Sequence, residues 1–461
     1  MSLTRRSFIK GSAASAALAM VGGSAIDSLS AQTSTLANGP GNKWPGRVVI
    51  NFNKNAASGV TVDETVAKQM VSDAICKLTN ETSVAAAWKA IFPTTLTAAS
   101  KIAIKINILN NGNPAPHAFT VAAICEGLTS MNINGTAFPA GNITIYDMNN
   151  GNDMDSAGYT SARFPTGIKR LKDSKSTTTG ALNETYASIL VAADFLINVF
   201  SPRGHWPEFG GFTLGFKSHY GTYDPVHGDG APAYLRDINC TGPVFNKTVL
   251  SMCSGLFGMN EGNGPTGGKD DYSSYSKKMD ATSTNNNPTT IIMSTDPVSC
   301  EMQSIKMMRM NKGKSYATAD LPLYLKMSGG VAGSGTTVYN IGIIDESQMD
   351  IRKLINGVDV SPVINKRKQN SNGISLQAIS IHNTTFIEFN VPVSFVSKNA
   401  EFTIFRADGS IVNTISHYVR GSVNNFSWDQ RDAVGKNVNS GMYIIKMQCM
   451  EIVISSKFTI L

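Results

Sequence analysis

Three of the six histidines, His205, His219 and His227, fall within the stretch NVFSPRGHWPEFGGFTLGFKSHYGTYDPVHGD that runs from Asn198 to Asp229. No other part of the chain is so dense in groups that bind metal or move protons. Imidazole and carboxylate together suit zinc, iron, copper or nickel, and Asp224, His227 and Asp229 are spaced so that a turn can bring them to one ion. The candidate metal ligands are therefore His205, His219, Asp224 and His227. The spacing is not that of HExxH, and a loop histidine among glycines and tyrosines also serves as hydrogen-bonded structure.

A second chemistry competes for the same segment. Lys105, Arg203 and Lys217 together suit an anion, phosphate or carboxylate, with Gly210-Gly211 allowing close backbone approach. The plainer reading pairs Lys105 with a carboxylate such as Asp147. For proton transfer, Glu261 lies in a Gly/Pro turn, and a carboxylate brought within reach of His219 would act as a general base, so Glu261 and His219 are the catalytic candidates. Asp296, directly before Pro297, reads instead as a helix N-cap. His117 opens a helical pattern after the loop that follows Lys105, on the same sheet edge as His205, whereas His382 and His417 read as surface or packing residues. No Gly-x-Ser-x-Gly elbow or Walker loop is present, which removes serine hydrolase and nucleoside triphosphatase readings.

The elements that must position these groups alternate in type. VVINF precedes a helical pattern from Thr61 to Leu78, IAIKINI precedes one from Phe119 to Met131, and NITIYD and DFLINVF each run into a loop. This alternation predicts an α/β domain, with a mainly parallel sheet and flanking helices, over residues 40–365. Ligands of such sheets gather beyond the carboxyl ends of the strands, where the histidine-rich loop would sit. The Gly/Asn/Ser-rich run from Gly262 to Pro288 reads as an exposed loop, and Lys366 to Gly373 as a linker. From 374 to 461 short alternating strands with a turn at Asp408-Gly409 predict a small all-β, Ig-like sandwich.

The N-terminus carries its own signal. Arg5-Arg6 with Phe8, followed by the small, apolar stretch GSAASAALAMVGGSA, reads as a twin-arginine export peptide over residues 1–31, cleaved between Ala25 and Gln32. The apolar run is shorter than the roughly 20 residues a bilayer span needs, so no transmembrane segment is expected after cleavage. The partner this implies is the twin-arginine translocase, and the destination is the periplasm or the cell surface. Because that route carries folded proteins, often with a cofactor already loaded, a transition metal is a candidate cofactor whose identity the sequence leaves unknown.

Composition narrows the rest. The formal charge of +7 falls when the leader removes Arg5, Arg6, Lys10 and Asp27, and the remaining basic residues are scattered. Lys366-Arg367-Lys368 is the one dense run and reads as a solvated loop, so a nucleic-acid partner is not expected. The six cysteines form no CxxC pair, which argues against a cysteine-ligated iron-sulfur cluster. Cys240 and Cys253 are the nearest pair for a disulfide, and buried free thiols are an equal alternative.

The α/β part resembles the domain-of-unknown-function 362 family. IAIKINI resembles its early strand with a Lys and an Asn. RGHWPEFGGFTLGFKSHYG resembles its central block, with Arg203 replacing a Lys and Ser218 an Asn. GMNEGNGPTGG resembles its Glu-Gly-x-Gly-Pro turn, and STDPVSCE its helix start, with Glu301 near the position of an acid. The resemblance covers roughly residues 47–310 and implies a fold, since the family has no assigned reaction. Some members append a cysteine-rich ferredoxin segment that this chain lacks. FTIFRADGSIV, FSWDQRDAVGKNVNSGMYIIKM and the final KFTIL resemble the Ig-like module of the flagellar hook-capping protein and the sorting domains of type IX secretion substrates. That second resemblance implies a surface or secretion machinery as a partner.

Overall fold

The computed structural model describes residues 36–37, 39–108, 115–147, 154–172, 175–179, 185–205, 210–222, 230–258, 271–310, 321–331, 337–361, 374–381, 384–421, 423–450 and 452–460. The expected leader and the expected linker from Lys366 to Gly373 lie outside them.

Numbered in chain order over the three larger sheets, the first nine strands are β1 (Arg47–Phe52), β2 (Ile102–Lys105), β3 (Ile143–Asp147), β4 (Lys169–Lys172), β5 (Phe195–Phe200), β6 (Thr248–Gly255), β7 (Thr290–Ser294), β8 (Asp350–Ile355) and β9 (Val358–Asp359). They form one sheet in the order β9-β8-β1-β7-β6-β5-β2-β3-β4. The run β6-β5-β2-β3-β4 is parallel throughout, as is β1 with β8. The mainly parallel sheet read from the alternation is therefore present. β7 departs from it, pairing antiparallel with both β1 and β6.

The sheet is apolar on both faces because helices cover both. In β1, Val48, Ile50 and Phe52 enter one core while Val49 enters the other, and β7 divides Ile292 from Ile291 and Met293 in the same way. Alternate side chains of a strand point to opposite faces, so a strand buried on both sides reads as a continuous apolar run. Helix α1 (Glu64–Thr79) lays Ala67, Met70, Val71, Ala74, Ile75 and Leu78 on one face, the three-and-four spacing of an amphipathic stripe. Helix α2 (Ala118–Ser130) joins it there. The opposite face is covered by α4 (Ala231–Cys240), α5 (Pro297–Arg309) and α6 (Leu323–Ser328), and the short α3 (Gly215–Ser218) precedes them in the chain.

Two details depart from the sequence reading, and one settles an alternative it left open. The first helix starts at Glu64 rather than Thr61, because Thr61 and Val62 pair with Ser58 and Ala57 across Gly59, and Asp63 caps the helix by accepting from Val66 N at 3.0 Å. The expected loop from Gly262 to Pro288 contains a helix, Ser273–Met279, among its described residues. Composition suggested a loop there, yet Tyr272 and Tyr275 are buried three residues apart, and Tyr275 meets Phe52 edge-on. All six cysteines, finally, are free thiols, including Cys240 and Cys253.

The C-terminal strands are antiparallel throughout. β10 (Ser375–Ile381), β11 (Thr384–Asn390) and β14 (Val423–Trp428) form one sheet in the order β10-β11-β14. A second, in the order β13-β12-β15-β16, joins β12 (Asn399–Arg406), β13 (Ile411–Tyr418), β15 (Gly441–Cys449) and β16 (Ile452–Ile460). Inward residues of both sheets, among them Phe389, Phe402, Ile404, Ile445 and Met447, share one core in a sandwich-like arrangement. The turn at Asp408-Gly409 is present, with Gly409 at φ 86° and Ser410 N donating to Asp408 Oδ1 at 2.9 Å. His417 stacks on Phe426, a packing role as read from the sequence, and His382 lies outside the described residues.

Candidate functional site

β2, β3 and β5 are adjacent and parallel, so their carboxyl ends lie on one edge of the sheet. Two of those ends are charged. Lys105 closes β2 and Asp147 closes β3, and their side chains, 0% and 2% exposed, meet with Nζ 3.0 Å from Oδ1. The ammonium also donates to the carbonyl of Ile106, while Asp147 Oδ2 accepts from Ile108 N at 2.9 Å. Burial pulls the lysine below its ordinary range, and the aspartate opposes that pull.

The chain beyond β5 brings the third charge. Arg203 opens a two-residue ladder with Phe212–Thr213, closed through Gly210 and Gly211 at φ 66° and 85°, and His205 N donates to Gly211 O at 2.8 Å. The Arg203 guanidinium is buried, donating from Nη2 to Asn107 O at 3.0 Å and from Nε to Ser201 Oγ at 3.2 Å. Burial lowers it to about 10 against the pull of Asp147 and Tyr159, so it remains cationic at neutral pH. Tyr159 donates its hydroxyl to Pro116 O.

His219 completes the cluster from the turn after α3. Burial, reinforced by the nearby Lys105 charge, holds its imidazole at about 3, so it is neutral at any physiological pH. Its Nδ1 lies 3.5 Å from Thr222 Oγ1, which is 3.0 Å from the Tyr146 hydroxyl. Lys217, also buried, places Nζ 4.6 Å from the centre of the Tyr220 ring, a cation–π contact.

Gly221 is the residue that lets the turn approach. A Cβ there would stand 2.1 Å from Asp147 Oδ1 and 2.6 Å from Lys105 Nζ. Gly221→Ala is therefore expected to push the ion pair apart and lower folding stability by about 1–3 kcal/mol or more, the usual cost of overpacking, read as a shift in the denaturant midpoint.

Some expected site residues come together and others fall elsewhere. Lys105 and Arg203 are both coupled to Asp147, and His219 to Lys105. Lys217 lies two residues before His219 on α3, and His205 is half-buried beside the Arg203 ladder. Asp224, His227 and Glu261 lie outside the described residues. Among those described, no three His, Cys, Asp or Glu side chains are grouped to hold a metal ion. His117 caps α2, its Nδ1 accepting from Phe119 N at 3.4 Å. Asp296 caps α5 by accepting from Ser299 N, and also takes Gly46 N and Ile343 N, each at 2.9 Å.

Glu301 is the carboxylate that sequence reasoning undervalued. On α5 and 1% exposed, it accepts from the Tyr324 hydroxyl at 2.8 Å and from Phe216 N at 3.2 Å, so it caps the helix that carries Lys217. Burial raises it to about 7 despite those donors. Its signal was present in STDPVSCE, where an acid one turn beyond a capping Asp-Pro faces the sheet. Asp147 had a comparable signal, since two neighbouring apolar strands each end in a charge of opposite sign.

Residues 2–22 match the family described as the twin-arginine translocation pathway signal sequence. No curated protein matches the chain. Among solved structures, FlgD from P. aeruginosa aligns at 21% identity over 17% of this chain and 63% of its own, with a TM-score of 0.15. FlgD from Xanthomonas campestris, described for hook capping in flagellar assembly, aligns at 23% identity over 18% and 60%, with a TM-score of 0.13. PorZ from Porphyromonas gingivalis, described as a surface component of the type IX secretion system, aligns at 12% identity over 22% and 13%, with a TM-score of 0.15. The chain thus spans less than two thirds of each of these proteins. Among the described residues no helix is long and apolar enough to cross a membrane. The protein carries a twin-arginine signal and is exported to the periplasm or beyond.

Proposed function

We propose that the exported protein binds an anionic small molecule, a phosphate or carboxylate, at the carboxyl ends of β2, β3 and β5. One observation carries this reading: among the described residues, the buried cations Lys105 and Arg203 both lie in the field of the buried Asp147, with a neutral His219 near Lys105. Cationic side chains gathered and desolvated in this way favour an anionic ligand. A transition-metal ion ligated by the His219 imidazole would instead meet the Lys105 charge that already depresses that ring. Arg203 and Lys217 are slightly exposed, at 4% and 9%, against 0% for Lys105, which makes Lys217 the residue to vary.

Domain limits of 40–365 for the α/β part and 374–461 for an Ig-like sandwich, and membership of the 362 family over roughly 47–310, belong to the same proposal. They are supported by the motif order and by apolar cores that do not share residues between the two parts. The test is calorimetric titration of the mature protein with inorganic phosphate and with a small dicarboxylate. Lys217→Met is expected to weaken binding about tenfold or more, the loss of one charge-assisted contact, and added salt to weaken the wild type. Equal affinity in the variant, or no binding of either anion, contradicts the reading.

A second reading, a non-catalytic surface protein tethered through the sandwich, is favoured by the C-terminal strands having their own core. Deleting residues 374–461 would then release the protein from the cell surface while leaving anion affinity unchanged.

A further inference from the structure

Behind α3 the protein encloses a cavity of about 20 Å³, lined by Asn42, Asn198, Ser251, Thr295, Glu301 and His219 among others. A single water-sized occupant needs roughly 10–15 Å³, so the space holds one. The polar groups come from separate places: the segment before β1, strands β5 and β6, the turn before α5, α5 itself and the turn after α3. Asn42, Asn198 and Thr295 are 6%, 3% and 1% exposed.

The lining is rich in oxygen acceptors without donors. Asn42 Nδ2 donates to Ile341 O at 3.2 Å and Asn198 Nδ2 to Gly215 O at 2.9 Å, which fixes both amide orientations. Asn42 Oδ1, Asn198 Oδ1 and Thr295 Oγ1 are buried and have no hydrogen-bond partner among the described residues. Buried polar groups are almost always satisfied, so three such oxygens around one cavity call for an occupant that attracts acceptors. Amide, hydroxyl and carboxylate oxygens together are the donor set of a hard cation. With one carboxylate in the lining, a divalent ion would keep uncompensated buried charge, whereas a monovalent ion would be neutralised.

We propose that this cavity is a binding site for one small monovalent cation, held by Asn42 Oδ1, Asn198 Oδ1, Thr295 Oγ1 and the Glu301 carboxylate. The site is independent of the anion reading, although Glu301 also caps the helix that carries Lys217.

Thermal unfolding of the mature, full-length protein in potassium, sodium, ammonium or choline chloride at equal ionic strength tests the site. At pH 8 one or more of the small cations is expected to raise the melting temperature saturably over choline. Glu301→Gln is expected to abolish the cation-specific rise. Thr295→Val, which removes a hydroxyl that makes no protein hydrogen bond, is expected to diminish the rise while leaving stability in choline close to wild type. Equal melting temperatures in all four salts at pH 8 would mean that the occupant is water and would overturn the proposal, as would a full cation-specific rise in Thr295→Val.

Discussion

Replacing Lys105 with methionine is expected to cost about 3–5 kcal/mol of folding stability, the usual penalty for stranding one charge of a buried pair. Asp147 would be left 1% exposed, with Ile108 N as its backbone donor and Arg203 as its remaining counter-charge. The double variant Lys105→Met/Asp147→Asn is expected to recover much of the loss, because the amide keeps an acceptor for Ile108 N without a net charge. The resulting coupling energy, read from denaturant midpoints of the four proteins, is expected to exceed about 1 kcal/mol. A loss below that for Lys105→Met alone would mean that the pair is solvated, and the argument for a desolvated cationic cluster would go with it.

Stability is expected to fall as pH rises from about 4.3, where glutamate ionises in an unfolded chain, through 7, where Glu301 ionises in the folded protein. The sign follows from the direction of the shift. A carboxyl whose folded value is raised binds its proton more tightly when folded, so its contribution is complete below the unfolded value and lost above the folded one. An ionisation delayed to about 7 corresponds to roughly 4 kcal/mol between those limits. The measurement is unfolding free energy against pH in buffers free of small monovalent cations, wild type beside Glu301→Gln. The variant is expected to lack this component, so the difference between the two curves isolates Glu301 from other groups such as Asp296, whose carboxyl burial also raises. Parallel curves would mean that Glu301 is ionised throughout and that Tyr324 and the α3 amides outweigh its burial.

Much of the fold was legible because apolar strands and helical stripes alternate with clear punctuation. The Asp296 cap and the Asp408-Gly409 turn are local signals, satisfied by bonds within three residues, whereas the Asp63 cap was hidden by the short pairing of Thr61 and Val62 before it. Strand direction was not legible in the same way: TIIMS of β7 reads identically whether it runs with or against its neighbours, and only the connections decide. The buried helix at Ser273–Met279 was hidden by its serines, since two tyrosines carry its packing. For the site, Lys105 and Arg203 could be named from their positions after apolar runs. Their relation to His219 could not, because it depends on Gly221 letting a turn 116 residues away from Lys105 close over the ion pair. Glu261 outweighs Glu301 in the sequence because a glycine-rich turn advertises a site, whereas the signal of Glu301, an acid one turn beyond Asp296-Pro297, is equally that of an ordinary helix start.

The charge around His219 leads to one direct test, elemental analysis of protein matured through its own twin-arginine route, wild type beside a His205→Ala/His219→Ala variant. With Lys105 facing His219, the wild type is expected to hold no stoichiometric transition metal and the variant to differ in none. One equivalent of metal in the wild type, lost in the variant, would contradict the anion site and make the histidine-rich loop a metal centre.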